Sequence, residues 1–198
     1  AIGTLALLAN TTGAGNIAIG TSALDTSTTV SYSIGIGHQA LTNANGGTNT
    51  NVGAFSGDAI TTGANNVGLG YQSLGATTTG GSNVAIGHDT LENNTTASFN
   101  TAVGHQALKA NTTGSGNVAL GYAALDANTT ASANTAIGDQ ALTDNTTGTN
   151  LVAVGQGSLE NNTTASNNTA VGRYALRANT TGADNVAIGY NALVANTT

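Results

Sequence analysis

A glycine recurs at a fixed interval along the whole chain: Gly3, Gly20, Gly37, Gly53, Gly70, Gly87, Gly104, Gly121, Gly138, Gly155, Gly172 and Gly189. Every step is 17 residues except that from Gly37 to Gly53, which is 16. The chain is therefore about twelve copies of one unit, read as N-V-A-I-G-x-x-A-L-x-x-N-T-T-G-x-x. A unit this short cannot bury an apolar face alone, so copies must stack on one another, as in a solenoid or fibre. Such an array presents a long repeated surface rather than one pocket.

Composition agrees with a thin stacked core. Only 6 % of the 198 residues are charged and 4 % aromatic, and there is no Pro, Cys, Met or Trp. A chain so poor in large side chains cannot fill one wide interior. The aliphatic residues fall at fixed places in nearly every unit, which argues against the disorder that Gly, Asn and Thr enrichment would otherwise suggest. The three basic residues, Lys109, Arg173 and Arg177, on a chain of net charge −6 exclude a nucleic-acid footprint. No apolar run is long enough to cross a membrane. Residues 1–198 read as a single repeat array. Beginning and ending inside a repeat, with no polar caps, the array is expected to be a segment of a longer fibre.

Counting from each anchor glycine, offset −1 is aliphatic (Ile19, Ile86, Leu120, Val154), −2 is small and −3 is Val, Ile or Thr. This β-branched segment reads as a short strand, with −1 and −3 on one face and −2 on the other. Offset +4 is Leu in eleven of twelve units, Gly57 being the exception, and +3 is Ala, Ser or Thr. That segment is read as a second short strand, followed by an Asn-Thr-Thr turn. The Leu and Ile/Val columns are expected to form the dry interior. Asn columns at −4 (Asn66, Asn83, Asn100) and +7 (Asn94, Asn111, Asn128) are expected to form amide ladders between layers. An alternation with period 34, as in Thr101, Val118, Thr135 and Val152, leaves open one or two units per coil. The fold class expected is all-β, a parallel β-solenoid of about twelve 17-residue repeats.

The motifs Asn83-Val84-Ala85-Ile86-Gly87 and Asn185-Val186-Ala187-Ile188-Gly189 resemble the head repeats of trimeric autotransporter adhesins. The longer phrase from Asn134 to Leu142, followed by Asn145-Thr146-Thr147-Gly148, is similar to the repeats of phage-tail-fibre-like proteins. The resemblance covers the whole chain. It implies a left-handed parallel β-roll, a homotrimer, and a stalk or receptor-binding head on a cell surface or virion.

Charged and aromatic residues concentrate at offsets +1, +2 and +5. Tyr71, His88, His105, Tyr122, Arg173 and Tyr190 all lie at +1 and form the candidate ligand-contact stripe. Tyr and His rings could stack on sugar faces while neighbouring Gln, Asn and Asp bond hydroxyls. His88 and His105 fall in adjacent layers beside Asp89, but repeat copying accounts for the pair and no third ligand recurs, so no metal is assigned. No catalytic grouping stands apart from the repeat, and no cofactor is called for.

The function expected is a non-catalytic extracellular fibre segment, an adhesive head or stalk attaching to a surface or glycan receptor. An alternative is an ice-binding solenoid using Thr ranks such as Thr112-Thr113, Thr129-Thr130 and Thr146-Thr147. Against it, neighbouring residues of an extended strand point opposite ways. A hexapeptide β-helix enzyme would want a period of about 18.

Overall fold

The computed structural model describes residues 1–198. Its regular elements are eleven three-residue strands: β1 (Ile17–Ile19), β2 (Ile34–Ile36), β3 (Thr50–Val52), β4 (Val67–Leu69), β5 (Val84–Ile86), β6 (Thr101–Val103), β7 (Val118–Leu120), β8 (Thr135–Ile137), β9 (Val152–Val154), β10 (Thr169–Val171) and β11 (Val186–Ile188). They form one parallel sheet in sequence order. Each strand pairs with the next at a shift of one unit, as in Val84 with Thr101 and Thr101 with Val118. One 17-residue unit is thus one coil, which resolves the period-34 question. The alternation it reflects lies at −3, on the outer face of the sheet. Ile2 adds a further rung by bridging to Ile19. At the usual strand spacing the sheet is roughly 50 Å long.

The strand is only a small part of the ladder. Of 127 backbone hydrogen bonds, 20 lie within the sheet, so coils are joined around their whole perimeter.

The second apolar element is not a strand, contrary to the sequence reading. Residues at +2 and +4 adopt left-handed backbone, for example Ala123 (φ 50) and Leu125 (φ 54), while +1 and +3 do not. This alternation turns successive amides in opposite directions. Ala123 N–H donates back to His105 O (3.0 Å), whereas Leu125 N–H donates forward to Ala141 O (3.1 Å). A strand would send +3 and +4 to opposite faces. Here Ala124 and Leu125 are both fully buried. Placing Leu in the left-handed region costs about 1–2 kcal/mol per residue. Burying its side chain returns about 1.5–3 kcal/mol.

The parity of the strand is as expected, but its inward face is the other one. Offset −2 is buried in every strand, and −1 and −3 are half-buried or exposed. The core is therefore Leu against Ala, and the Ile/Val columns form the outer surface of the sheet. The reason is width. At Gly35, a β-carbon would already meet Leu24 Cγ at 3.3 Å. The interior accepts a methyl opposite each Leu and nothing larger. The −2 alanines are consequently unavailable for packing one rod against another.

The other side of the interior is polar. At +7, Asn128 Nδ2 donates to Asn111 Oδ1 (2.8 Å), and Asn145 Nδ2 to Asn128 Oδ1 (3.3 Å), an amide ladder as anticipated. At −4 amides join directly from Asn49 through Asn66 to Asn83 (3.2 and 3.1 Å), and beyond Asn83 the ladder takes a different form. Asn100 Oδ1 accepts the backbone N–H of Asn117 (2.9 Å), and Asn100 Nδ2 crosses its own coil to Gly114 O (2.9 Å). Asn111 Nδ2 reaches the same carbonyl at 3.0 Å. Where both columns hold Asn, as at Ala97, Gly114, Ala131, Gly148 and Gly182, two amides thus close the coil on one acceptor, which satisfies buried polar groups that would otherwise cost about 1–3 kcal/mol each.

The 16-residue step marks a seam. The apolar core divides into a cluster ending at Ile60 and another beginning at Leu74. Between them Gly57 lacks the Leu side chain. Asn51 fills the gap from the −2 position, donating to Ser56 Oγ (2.9 Å) and leaving its Oδ1 unpartnered. A β-carbon on Gly57 would lie 2.5 Å from Asn51 Nδ2 and 2.9 Å from Ile60 Cδ1. Gly57→Leu alone should therefore lower the melting temperature. The triple replacement Asn51→Ala, Gly57→Leu, Ile60→Asn restores the common unit and should raise it above the parent, because the three sites share one space. Calorimetry of the three proteins checks this; a triple variant no more stable than the single would contradict the seam.

Candidate functional site

Offset +1 follows the bend at each anchor glycine, so its side chains leave the coil at the surface and stack with the layers. Tyr71, His88, His105 and Tyr122 come together as one continuous stack. Their ring centroids are 5.1, 5.2 and 5.6 Å apart, with interplanar angles of 24°, 24° and 10°. Phe55 adds a T-shaped contact on Tyr71 at 5.8 Å, and His38 another on Phe55 at 5.1 Å. Such offset and edge contacts are favourable. The stack has a chemical consequence. The facing surfaces of His88 and His105 are covered by each other and by the flanking tyrosines, so the column offers ring edges to a ligand. Those edges carry imidazole nitrogens and phenol hydroxyls, which are hydrogen-bonding groups.

Arg173 and Tyr190 lie three and four coils beyond Tyr122 and do not join the stack. The intervening column is polar. Gln156 Nε2 donates to Asp139 Oδ2 (3.4 Å), and Arg173 Nε donates to Gln156 Oε1 (2.9 Å). Tyr190 is 68 % exposed.

Charges pair across layers at the unit spacing. Lys109 Nζ donates to Asp89 Oδ2 at 3.0 Å and lies 3.3 Å from Glu92 Oε2. The bond to Asp89 pushes the ammonium above its ordinary range, partial burial opposes this, and Glu92 adds to the rise. His88 Nδ1 is 3.0 Å from Asp89 Oδ1, an ion-pair distance. One concavity interrupts the surface, about 190 Å³ lined by Asp58, Gln72, Gly75, Ala76, Glu92 and Asn93. It arises because Gly75 brings no side chain to the +5 column. Burial raises the Asp58 carboxyl, and the backbone N–H groups of Asp58 and Ala59 partly offset that. Burial also raises Asp126, opposed by Lys109 and His105.

The Asn-Thr-Thr ranks lie on a bend, not a strand, where Thr112 N–H (2.8 Å) and Thr113 N–H (3.2 Å) both donate to Thr129 O. Thr112 Oγ1 donates to Thr129 O (3.0 Å) and Thr146 Oγ1 to Thr163 O (3.0 Å), so the first column is tied to the ladder. The second column, Thr113, Thr130 and Thr147, is exposed and one residue wide.

Sequence reasoning missed a second grouping around Tyr174. Both arginines of the chain lie over its ring, with guanidinium carbons 4.4 Å (Arg173) and 4.7 Å (Arg177) from the centroid. Two signals were present. Glu160 and Arg177 are opposite charges one unit apart, and Gly157 at +2 precedes Tyr174 by one unit. A β-carbon on Gly157 would meet Tyr174 Cδ1 at 2.6 Å, so the glycine makes room for the ring.

No family model matches this chain, and neither does any curated protein or solved structure.

Proposed function

We propose that the chain is a segment of a non-catalytic extracellular fibre, three chains to a rod, acting as an adhesive head or stalk. One observation carries the reading: the aliphatic outer face of the sheet. Along eleven strands the −1 column is wholly Ile, Val or Leu, and the −3 column beside it is Ile or Val with Thr in four strands. Leu120 (45 %), Val118 (38 %) and Ile86 (36 %) are exposed well inside the array. A continuous apolar strip of this length on a lone chain marks an interaction surface. The strip repeats with the layers, so identical rods can match it in register along their whole length. Burial there would leave the +1 columns to meet a surface or glycan receptor, with Tyr71, His88, His105, Tyr122, Arg173 and Tyr190 as the contact residues. Sedimentation equilibrium tests the assembly. A mass near three times 19.2 kDa is expected. A chain that stays at 19.2 kDa at high concentration would overturn it.

A further inference from the structure

We infer that Arg173, with Tyr174 and Arg177, forms an anion subsite that takes the carboxylate or sulfate group of an acidic sugar chain. The inference rests on the attachment reading above and specifies the ligand class at one end of the +1 column.

The charge pattern singles out Arg173. Lys109 is committed to Asp89 and Glu92, and Arg177 donates to Glu160 through Nε (2.7 Å) and Nη2 (3.4 Å). Arg173 alone among the basic residues has no carboxylate partner. It is instead oriented by neutral groups, with Nε on Gln156 Oε1 (2.9 Å) and Nη2 on Tyr174 OH (3.2 Å). Gln156 also separates it by one layer from Asp139, the nearest acid of its column. The Nη1 groups of both arginines have no protein acceptor.

A guanidinium held by two neutral bonds and an aromatic face keeps its full charge and has little rotamer freedom left to lose on binding. Its open edge suits an oxyanion that accepts two parallel hydrogen bonds. The local charge of Arg173, Arg177 and Glu160 is +1 on a chain of net charge −6. An anionic group is therefore attracted here and repelled elsewhere, which fixes where an acidic polymer docks. The same net charge disfavours an anionic bilayer, which would meet the whole rod. A sugar chain can instead run along the layers, placing one charged substituent at Arg173 and hydroxyls against the neighbouring amides.

Titration calorimetry at low salt tests this with dextran, dextran sulfate and oligogalacturonate. Binding of one or both charged polymers, at least about tenfold tighter than dextran, is expected. Their relative affinity assigns the sulfate or carboxylate source. Arg173→Gln should weaken that binding by about tenfold, the worth of one charge-assisted pair. Lys109→Gln, which removes the same charge from a committed lysine, should change it less than twofold. Both variants are checked for native circular dichroism; the Arg173 side chain is exposed, so its loss leaves the core intact. Equal weakening by the two variants would reduce the effect to net charge and overturn the site. Charged-glycan binding that survives Arg173→Gln would sink the subsite and leave glycan attachment standing. No binding by any of the three polymers would count against both. Capture by phosphatidylserine vesicles, lost in Arg173→Gln, would transfer the site to a lipid headgroup and overturn the glycan assignment.

Discussion

Gly121→Ala should destabilise the solenoid by more than about 3 kcal/mol, beyond the cost of backbone strain alone. Gly121 has φ +139, a region that side chains rarely adopt, and its β-carbon would lie 2.4 Å from Gly138 O and 2.6 Å from Gly138 C. Both are backbone atoms of the next coil, so neither can swing away. Relief would require parting the two coils, which breaks the Gly138 N–H to Leu120 O bond (2.8 Å) and the ladder beside it. Gly116 supplies the control. It also has positive φ (+68), but a β-carbon there has nothing within 4 Å, and Ala133 occupies the equivalent place one coil later at φ 60. Gly116→Ala should cost about 1 kcal/mol. Urea midpoints of the two variants measure the difference. Comparable losses would mean that coil-to-coil approach is not what the anchor glycines serve.

The second large effect concerns assembly. Replacing Ile86 and Leu120 together by arginine should bring the sedimenting mass to that of one chain while leaving the circular dichroism spectrum unchanged. Both side chains point outward, at 36 % and 45 % exposure, and contribute nothing to the Leu–Ala interior. In a self-associated rod each arginine would be an unpaired charge in an apolar seam, costing several kcal/mol. Replacing Gln106 and Gln140 on the +2 column in the same way should leave the mass unaltered. If the outer-face variant keeps its mass, the strip is not the contact.

The comparison of the two faces shows how far sequence reasoning reaches. Repeat length, the strand at −3 to −1 and the Asn columns all follow from residues recurring at fixed offsets, whereas one unit per coil needed the strand register. The inward face does not. Alternation shows that Ile86 and Ala85 point apart, but the interior's width decides which is inside. That width is set by Leu91 and its equivalents, whose left-handed backbone has no signature in residue type. Leu in such a conformation is uncommon, so a second strand was the natural reading. The ring stack was half visible. Tyr71, His88, His105 and Tyr122 share an offset, yet Phe55 enters from +2 and only coordinates place it on Tyr71. The Tyr174 grouping needed the space at Gly157 as well as the charges. Side-chain direction and local volume are tertiary properties, and they settle the chemistry at each of these places.

The perimeter ladder, with few of its bonds inside the sheet, also governs how the rod answers tension. Every backbone bond between coils runs along the axis, so pulling the ends apart loads successive coils one after another instead of shearing many bonds together. Each released coil would free 17 residues, a gain of roughly 50 Å over the layer it leaves. A lone rod would lengthen in equal increments at modest force, visible as evenly spaced steps in a single-molecule extension trace. Laterally associated rods could share the pull, so bundling of the outer faces would give such a filament its mechanical strength.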